Sequence, residues 1–131
     1  MNVQGIGIDA IEIERFENAI EQHGEGFLKK IFTGKEMDHA VSKNKKGYYM
    51  HMAGKFAAKE AVKKALPDGA RIGLNWSDIE ILNAEDGKPY AVLHGQAKSL
   101  MEKFNLSQVF VSISHTHNLA TSNAMVVKDG A

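Results

Sequence analysis

MHMAGKFAAKEAVKKAL, Met50 to Leu66, is the stretch on which the fold turns. It is alanine-rich and free of proline, a composition that predicts a strong helix. At 100° per residue, Ala53, Ala57, Ala61 and Ala65 follow one another along one stripe, joined by Phe56. Glu60 and Lys64 fall inside that stripe, whereas Lys55, Lys59 and Lys63 lie towards the other side. A charged pair in a packing face is costly unless it binds something or finds partners. The alternative is an ordinary four-apart Glu–Lys pair on a helix surface, worth about 0.3–0.5 kcal/mol.

Upstream, Val3 to Ile8 reads as a strand. Alternation puts Gly5, Gly7 and Asp9 on one side and Gln4, Ile6 and Ile8 on the other. Glycines on a strand face mark a close approach, either by a ligand or by another stretch of backbone. Asp9 at the end of that face is then a ligand group, or a residue that ends the strand or caps the next helix. The spacing GxGxD lacks the third glycine of a dinucleotide-binding turn. Ile11 to Gln22 predicts an amphipathic helix with Ile13, Phe16 and Ile20 inward, broken at Gly24 and Gly26. Phe27 to Phe32 fits one or two helical turns. Thr33 and Glu36 form a capping box for a third helix running to about Ser42. Lys43 to Gly47 is a polar break, either a solvated loop or a segment within reach of a ligand phosphate.

Downstream, Pro67, Asp68 and Gly69 stop the central helix, and a loop runs to Trp76. Ile79 to Leu82 and Tyr90 to Leu93 pair around an Asp86-Gly87 turn. Gln96 to Phe104 is a short helix. Val109 to Ser114 is a strand with Val109, Val111 and Ile113 on one face, and Ala120 to Val127 returns beside it. Lys128 to Ala131 is expected as a loose tail.

The totals set the class. A chain of 131 residues, 44% hydrophobic and 24% charged, suits one soluble domain spanning residues 1–131. Sixteen basic residues against sixteen acidic ones create no broad field for nucleic acid or membrane. The absence of cysteine excludes disulfides, thiolate metal sites and a cysteine nucleophile. Neither a membrane-length apolar run nor a secretion signal is present, so a cytoplasmic location is expected.

Three places carry candidate chemistry: Asp9, the Glu60–Lys64 pair, and Ser114-His115 at a strand end. Converging carboxylates make a hard oxygen site for magnesium, which takes one or two carboxylates together with substrate phosphates. A lysine one turn away can neutralise phosphate charge. Such a set suits phosphoryl-type transfer. His115 and His117 also admit a zinc reading, but no third nitrogen ligand stands at a suggestive spacing. A Ser114-His115 hydrolase pair is disfavoured because adjacent strand residues point to opposite faces.

In combination, GIGIDAIEIERF, FTGKE, AGKFAAKEAVKKAL, SDIEI, DGKP and VSISHT resemble the small bacterial holo-acyl-carrier-protein synthases of the phosphopantetheinyl transferase family. The resemblance runs from Gly5 to Val127. It implies an α+β fold, a small antiparallel sheet packed on a long central helix with shorter helices, assembled as a homotrimer with active sites between subunits. It implies magnesium-dependent transfer of 4′-phosphopantetheine from coenzyme A to a serine of apo acyl carrier protein, in support of fatty acid biosynthesis. By the same resemblance, Asp9 and Glu60 hold magnesium and Glu60, Lys64 and His115 are catalytic. Lys46, Lys55, Lys64, Pro89 and His115 line the coenzyme A site, and Arg15 docks the carrier protein. A non-catalytic binding module and a ligand-free structural trimer are the alternatives. The closing segment LATSNAMVV departs from the family's alternating Ala-x-Ala pattern at Ser122 and Asn123, which questions the register of the last hairpin. PDGARIG replaces a usual short Gly-x-Gly loop.

Overall fold

The central helix is the axis of the molecule, and it is covered on two opposite sides. In the computed structural model, which describes residues 1–40 and 44–130, the chain opens with strand β1 (Asn2–Glu12) and helix α1 (Ile13–Ile31). Helix α2 (Gly34–Ala40), the long helix α3 (Lys45–Ala65) and a short helix α4 (Gly69–Ile72) follow. A 3-10 turn (Trp76–Asp78) leads into β2 (Ile79–Asn83) and β3 (Pro89–Leu93), then α5 (Gly95–Lys103), β4 (Gln108–His115) and β5 (Leu119–Lys128). Strands β1, β5 and β4 form an antiparallel sheet in that order, and β2–β3 form a separate hairpin. The α+β class expected from the sequence is therefore present. Among the described residues no helix is long and apolar enough to cross a membrane.

Several elements differ from expectation for local reasons. β1 runs on to Glu12, four residues past Ile8, because Ile8 to Glu12 continue to pair one-to-one with Asn123 to Leu119. Helix α1 starts at Ile13 and reaches Ile31 across a kink at Gly24, whose φ of 75° interrupts the helix. The capping box is formed: the Thr33 amide donates to Glu36 Oε1 at 2.8 Å, and the Glu36 amide to Thr33 Oγ1 at 3.3 Å. The far end of that helix, expected near Ser42, lies outside the described residues, as does Lys43. Lys45 to Gly47 are helical rather than a break, because the side chain of Asn44 accepts from the Gly47 amide at 2.7 Å and caps α3. The Asp86-Gly87 turn is as expected, with Gly87 at a φ of 92° and its amide bonded to Ala84 O. β5 carries the chain in register as far as Lys128.

Sheet β1-β5-β4 lies on one side of α3. Gly5 and Gly7 face the helix so closely that a Cβ on either would sit 1.9 Å from the carbonyl oxygen of Ala65 or Ala61. The glycine face is thus closed by helix backbone. Of its two readings, the packing contact is the observed one, and the expected space for a ligand there is absent. On the helix's other side lies β2. Its edge away from β3 would present unpaired main-chain groups, and side chains satisfy them. Lys59 Nζ donates to Ile79 O at 2.6 Å, Lys55 Nζ donates to Ile81 O at 2.6 Å, and the Ile81 amide donates to Glu36 Oε2 at 2.7 Å. Four helical residues rise about 6 Å and two strand residues about 6.6 Å, so lysines four apart meet carbonyls two apart. This corrects the wheel reading: Lys55 and Lys59 are buried in the core, while Lys64 is exposed. Apolar packing fills the rest, with Ile79, Ile81, Ala97, Leu100 and Val126 around the C-terminal half of α3. Phe16, Ile20, Ile31, Phe32 and Met52 pack around its N-terminal half.

The last hairpin is regular. β4 and β5 pair without a slip from Gln108↔Val127 to His115↔Ala120. The buried Ser122 is accommodated because its Oγ donates to Ser112 O at 2.8 Å. The one irregularity in the sheet is between Val3 and Gly5 of β1.

Candidate active site

The same glycine contact that locks β1 onto α3 delivers Asp9. Beyond Gly7, opposite Ala61, two more strand residues advance Asp9 by about one helical turn, to the level of the preceding turn of α3. Helical side chains lean towards the helix N-terminus, so Lys64 leans back along α3 towards this level. Lys64 Nζ lies 3.0 Å from Asp9 Oδ1 and donates to Ile8 O at 3.1 Å. Glu60 stands one turn before Lys64 on the same flank of the helix, half-buried, and its Oε1 accepts from Trp76 Nε1 at 2.8 Å. Along the seam on one flank of α3, Lys64 thus reaches Asp9 on β1, and Glu60, one turn earlier, reaches the Trp76 turn. The side chain of Asp9 is 18% exposed and that of Lys64 is 51% exposed, so the seam is open to solvent.

The other expected site residues lie elsewhere. His115 is exposed at the end of β4, beside Asn44, Gly47, Met50 and His51. Strand β5 lies between it and β1, since His115 pairs with Ala120 and Ala120 with Ile11. Lys46 is in the first turn of α3, its Nζ 3.2 Å from His117 Nε2. Pro89 opens β3 opposite Asn83. Arg15 is exposed on α1, 3.6 Å from Glu12, at the rim of an apolar groove lined by Ile11, Phe16, Phe27 and Phe56. Lys55, expected to meet ligand phosphates, is 1% exposed with its ammonium turned to β2, which removes it from any surface contact. Among the described residues no group of three or more His, Asp or Glu side chains could hold a metal, so His115 and His117 form no zinc site. Two accessible carboxylates beside an open seam do suit magnesium, which draws its remaining ligands from substrate phosphates and water.

Comparison with known proteins gives the family. The family model described as the 4′-phosphopantetheinyl transferase superfamily matches residues 5–122. The chain belongs to that superfamily. A holo-[acyl-carrier-protein] synthase of Protochlamydia amoebophila is 44% identical over 121 residues, covering 92% of this chain and 95% of that protein. An acyl carrier protein synthase of Plasmodium yoelii solved with ADP bound is 31% identical, with a TM-score of 0.84 and 98% of each chain covered. A Helicobacter pylori holo-[acyl-carrier-protein] synthase solved with coenzyme A is 32% identical, with a TM-score of 0.78, covering 92% of this chain and 98% of that one.

In this phosphopantetheinyl transferase, sequence reasoning missed the polar network behind the site. Lys59 Nζ, fully buried, donates to Glu36 Oε1 at 2.8 Å and Trp76 O at 3.0 Å as well as to Ile79 O. Burial pushes the Lys59 pKa down, and the charges of Glu36 and Glu80 oppose that shift. Glu80 is bonded by Thr33 Oγ1 at 2.5 Å and lies 3.1 Å from His94 Nε2. Burial acts to raise its pKa, but those two bonds, with the charges of His94 and Lys35, outweigh it and hold the carboxyl below its usual range. The available signal was the capping box. Its Glu36 serves the local helix and the distant lysine with the same oxygen.

Proposed function

We propose that this chain transfers 4′-phosphopantetheine from coenzyme A to a serine of apo acyl carrier protein, releasing adenosine 3′,5′-bisphosphate. The observation that carries the reading is the Asp9–Lys64–Glu60 seam, in a chain that matches holo-[acyl-carrier-protein] synthases over nearly its whole length. In this reading the serine Oγ bonds to the pantetheine-bearing phosphorus. The bond from that phosphorus to the bridging oxygen breaks, and its electron pair leaves with the adenosine bisphosphate. Glu60 takes the serine proton. Lys64 moves from Asp9 to the diphosphate and offsets its charge, and Lys46 meets a second phosphate of coenzyme A. Asp9 and Glu60 hold magnesium, which when bound supplies charge neutralisation for the diphosphate. Arg15, at the rim of its apolar groove, receives the acidic carrier protein.

The assembly we propose is a homotrimer in the cytoplasm. Two observations support the trimer. The outer sheet face exposes apolar side chains, with Ile6 71%, Ile8 64% and Phe110 43% accessible. Ile6, Met125 and Phe110 stand in one cross-strand row of that face. Within one chain, His115 and Asp9 are on opposite edges of the sheet with β5 between them, an arrangement that fits a site drawing them from different subunits.

The test is intact-mass spectrometry of apo acyl carrier protein incubated with this chain, coenzyme A and magnesium. The expected result is the gain of one phosphopantetheine, abolished by chelator and by Glu60→Ala. No gain with several carrier proteins, despite tight coenzyme A binding, would replace the transferase with a binding module.

A further inference from the structure

We propose that Trp76 is a positioning residue. Its indole N–H holds the Glu60 carboxylate in the orientation that receives a divalent cation, and the buried Lys59 holds the indole's own backbone. The inference rests on the metal role proposed for Glu60.

Glu60 sits at a half-buried seam, where a free carboxylate would sample several rotamers. The 2.8 Å bond from Trp76 Nε1 fixes one oxygen, Oε1. Among the described residues, no other group bonds to this carboxylate, which leaves Oε2 for a ligand. An indole can only donate, so the bond demands an oxygen acceptor and cannot be inverted.

The indole is itself held firmly. Its ring packs on Phe56 with centroids 5.7 Å apart and planes at 58°. Phe56 in turn packs on Phe16 at 5.7 Å. Behind the ring, the Trp76 carbonyl accepts from Lys59 Nζ at 3.0 Å. Lys59 and Glu60 are neighbours on α3 and point different ways. One grips the main chain of Trp76 from the core, and the other meets its side chain at the seam. The Trp76 turn is thereby registered against α3 at two points, and Glu60 inherits that register. Groups that orient a metal ligand in this manner typically change metal affinity about 10–100-fold when removed.

The experiment uses the full chain with coenzyme A and manganese(II) as the probe, free manganese being counted by electron paramagnetic resonance. Trp76→Phe keeps the ring packing and removes the donor. It is expected to weaken manganese binding about tenfold. The magnesium concentration for half-maximal turnover should rise by the same factor, while kcat at saturating magnesium stays within about twofold. Glu60→Gln is expected to abolish manganese binding. Trp76 is the only tryptophan in the chain, so the protein can also be prepared with benzothienylalanine there, which replaces only the ring N–H by sulfur. That form covers the case in which Trp76→Phe fails to fold. The single indole N–H resonance of the native chain should shift on adding magnesium with coenzyme A. Native manganese affinity in both donor-less forms, or a loss confined to kcat, overturns the role of Trp76 while the loss in Glu60→Gln keeps the metal reading. Native affinity in Glu60→Gln overturns both.

Discussion

Replacing Lys59 by methionine keeps the stem's volume and removes its ammonium. In the native fold that ammonium is fully buried and makes bonds of 2.8, 3.0 and 2.6 Å to Glu36 Oε1, Trp76 O and Ile79 O. Methionine leaves two carbonyls short of a donor and Glu36 buried without its counter-charge. Breaking a buried pair from one side costs about 3–5 kcal/mol, against a total stability of about 5–15 kcal/mol for a domain. For a domain of this size the fall in Tm is about 10–15 °C. The assay is urea and thermal unfolding at fixed protomer concentration, since assembly shifts apparent stability. Combined with Glu36→Gln, Lys59→Met should cost less than the sum of the two singles, because the neutral amide needs no counter-charge, although its NH2 group meets one of the two main-chain amides, of Thr33 or Ile81, that the carboxylate accepts from. A loss below about 1 kcal/mol for Lys59→Met, or strict additivity in the double variant, would refute this account.

Three further outcomes are expected. Gly7→Ala places a methyl 1.9 Å from the immovable carbonyl of Ala61, so β1 must lift from α3 at a cost of about 1–3 kcal/mol, carrying Asp9 away from Lys64; phosphopantetheine transfer within twofold of native would sink this reading. Ile6→Asp puts a charge in the Ile6–Met125–Phe110 row and should convert the proposed trimer to monomer in analytical ultracentrifugation, whereas a native chain and a variant that both sediment as trimers at micromolar concentration would free that face from the interface. Glu80, whose carboxyl is held below the ordinary 4.5, contributes stability that is complete above that pH and lost as pH falls through its lower folded value, so Glu80→Gln should flatten the acid limb of the urea-midpoint curve below about pH 4.5; an unaltered slope would count against it.

The elements most readable from sequence were those set by short-range chemistry. The Asp86-Gly87 turn, the Thr33–Glu36 box and the alternation of Val109, Val111 and Ile113 all appear where their local rules place them. The central helix was readable too, but its faces were not. A wheel assumes one wet side, and α3 is buried against a sheet on one side and a hairpin on the other. Long lysine stems can cross such a core and end on main-chain carbonyls. Only the free edge of β2, a tertiary fact, shows why Lys55 and Lys59 go inward and Lys64 does not. The same limit applies to the site: the spacing of Asp9 from Glu60 says nothing until Gly5 and Gly7 fix β1 on α3.

These contacts also divide the site into a fixed half and a movable half. Glu60 is tied to Trp76, which is tied in turn to a buried lysine and an aromatic stack. Among the described residues, Lys64 is tied only to Asp9 and the Ile8 carbonyl, in a pair whose lysine side chain is half exposed. An ion pair of that exposure contributes about 0–1 kcal/mol. On the proposed reading, an incoming phosphate takes Lys64 from Asp9 at little cost, and Asp9 is freed for the proposed cation. In the ligand-free protein, Lys64 compensates Asp9, which leaves the Glu60 carboxylate, held by the neutral Trp76 N–H, as the uncompensated charge of the seam. The strong contacts lie behind the chemistry and the weak one faces it. On the proposed reading, that order lets substrate and product exchange while Glu60 keeps its place.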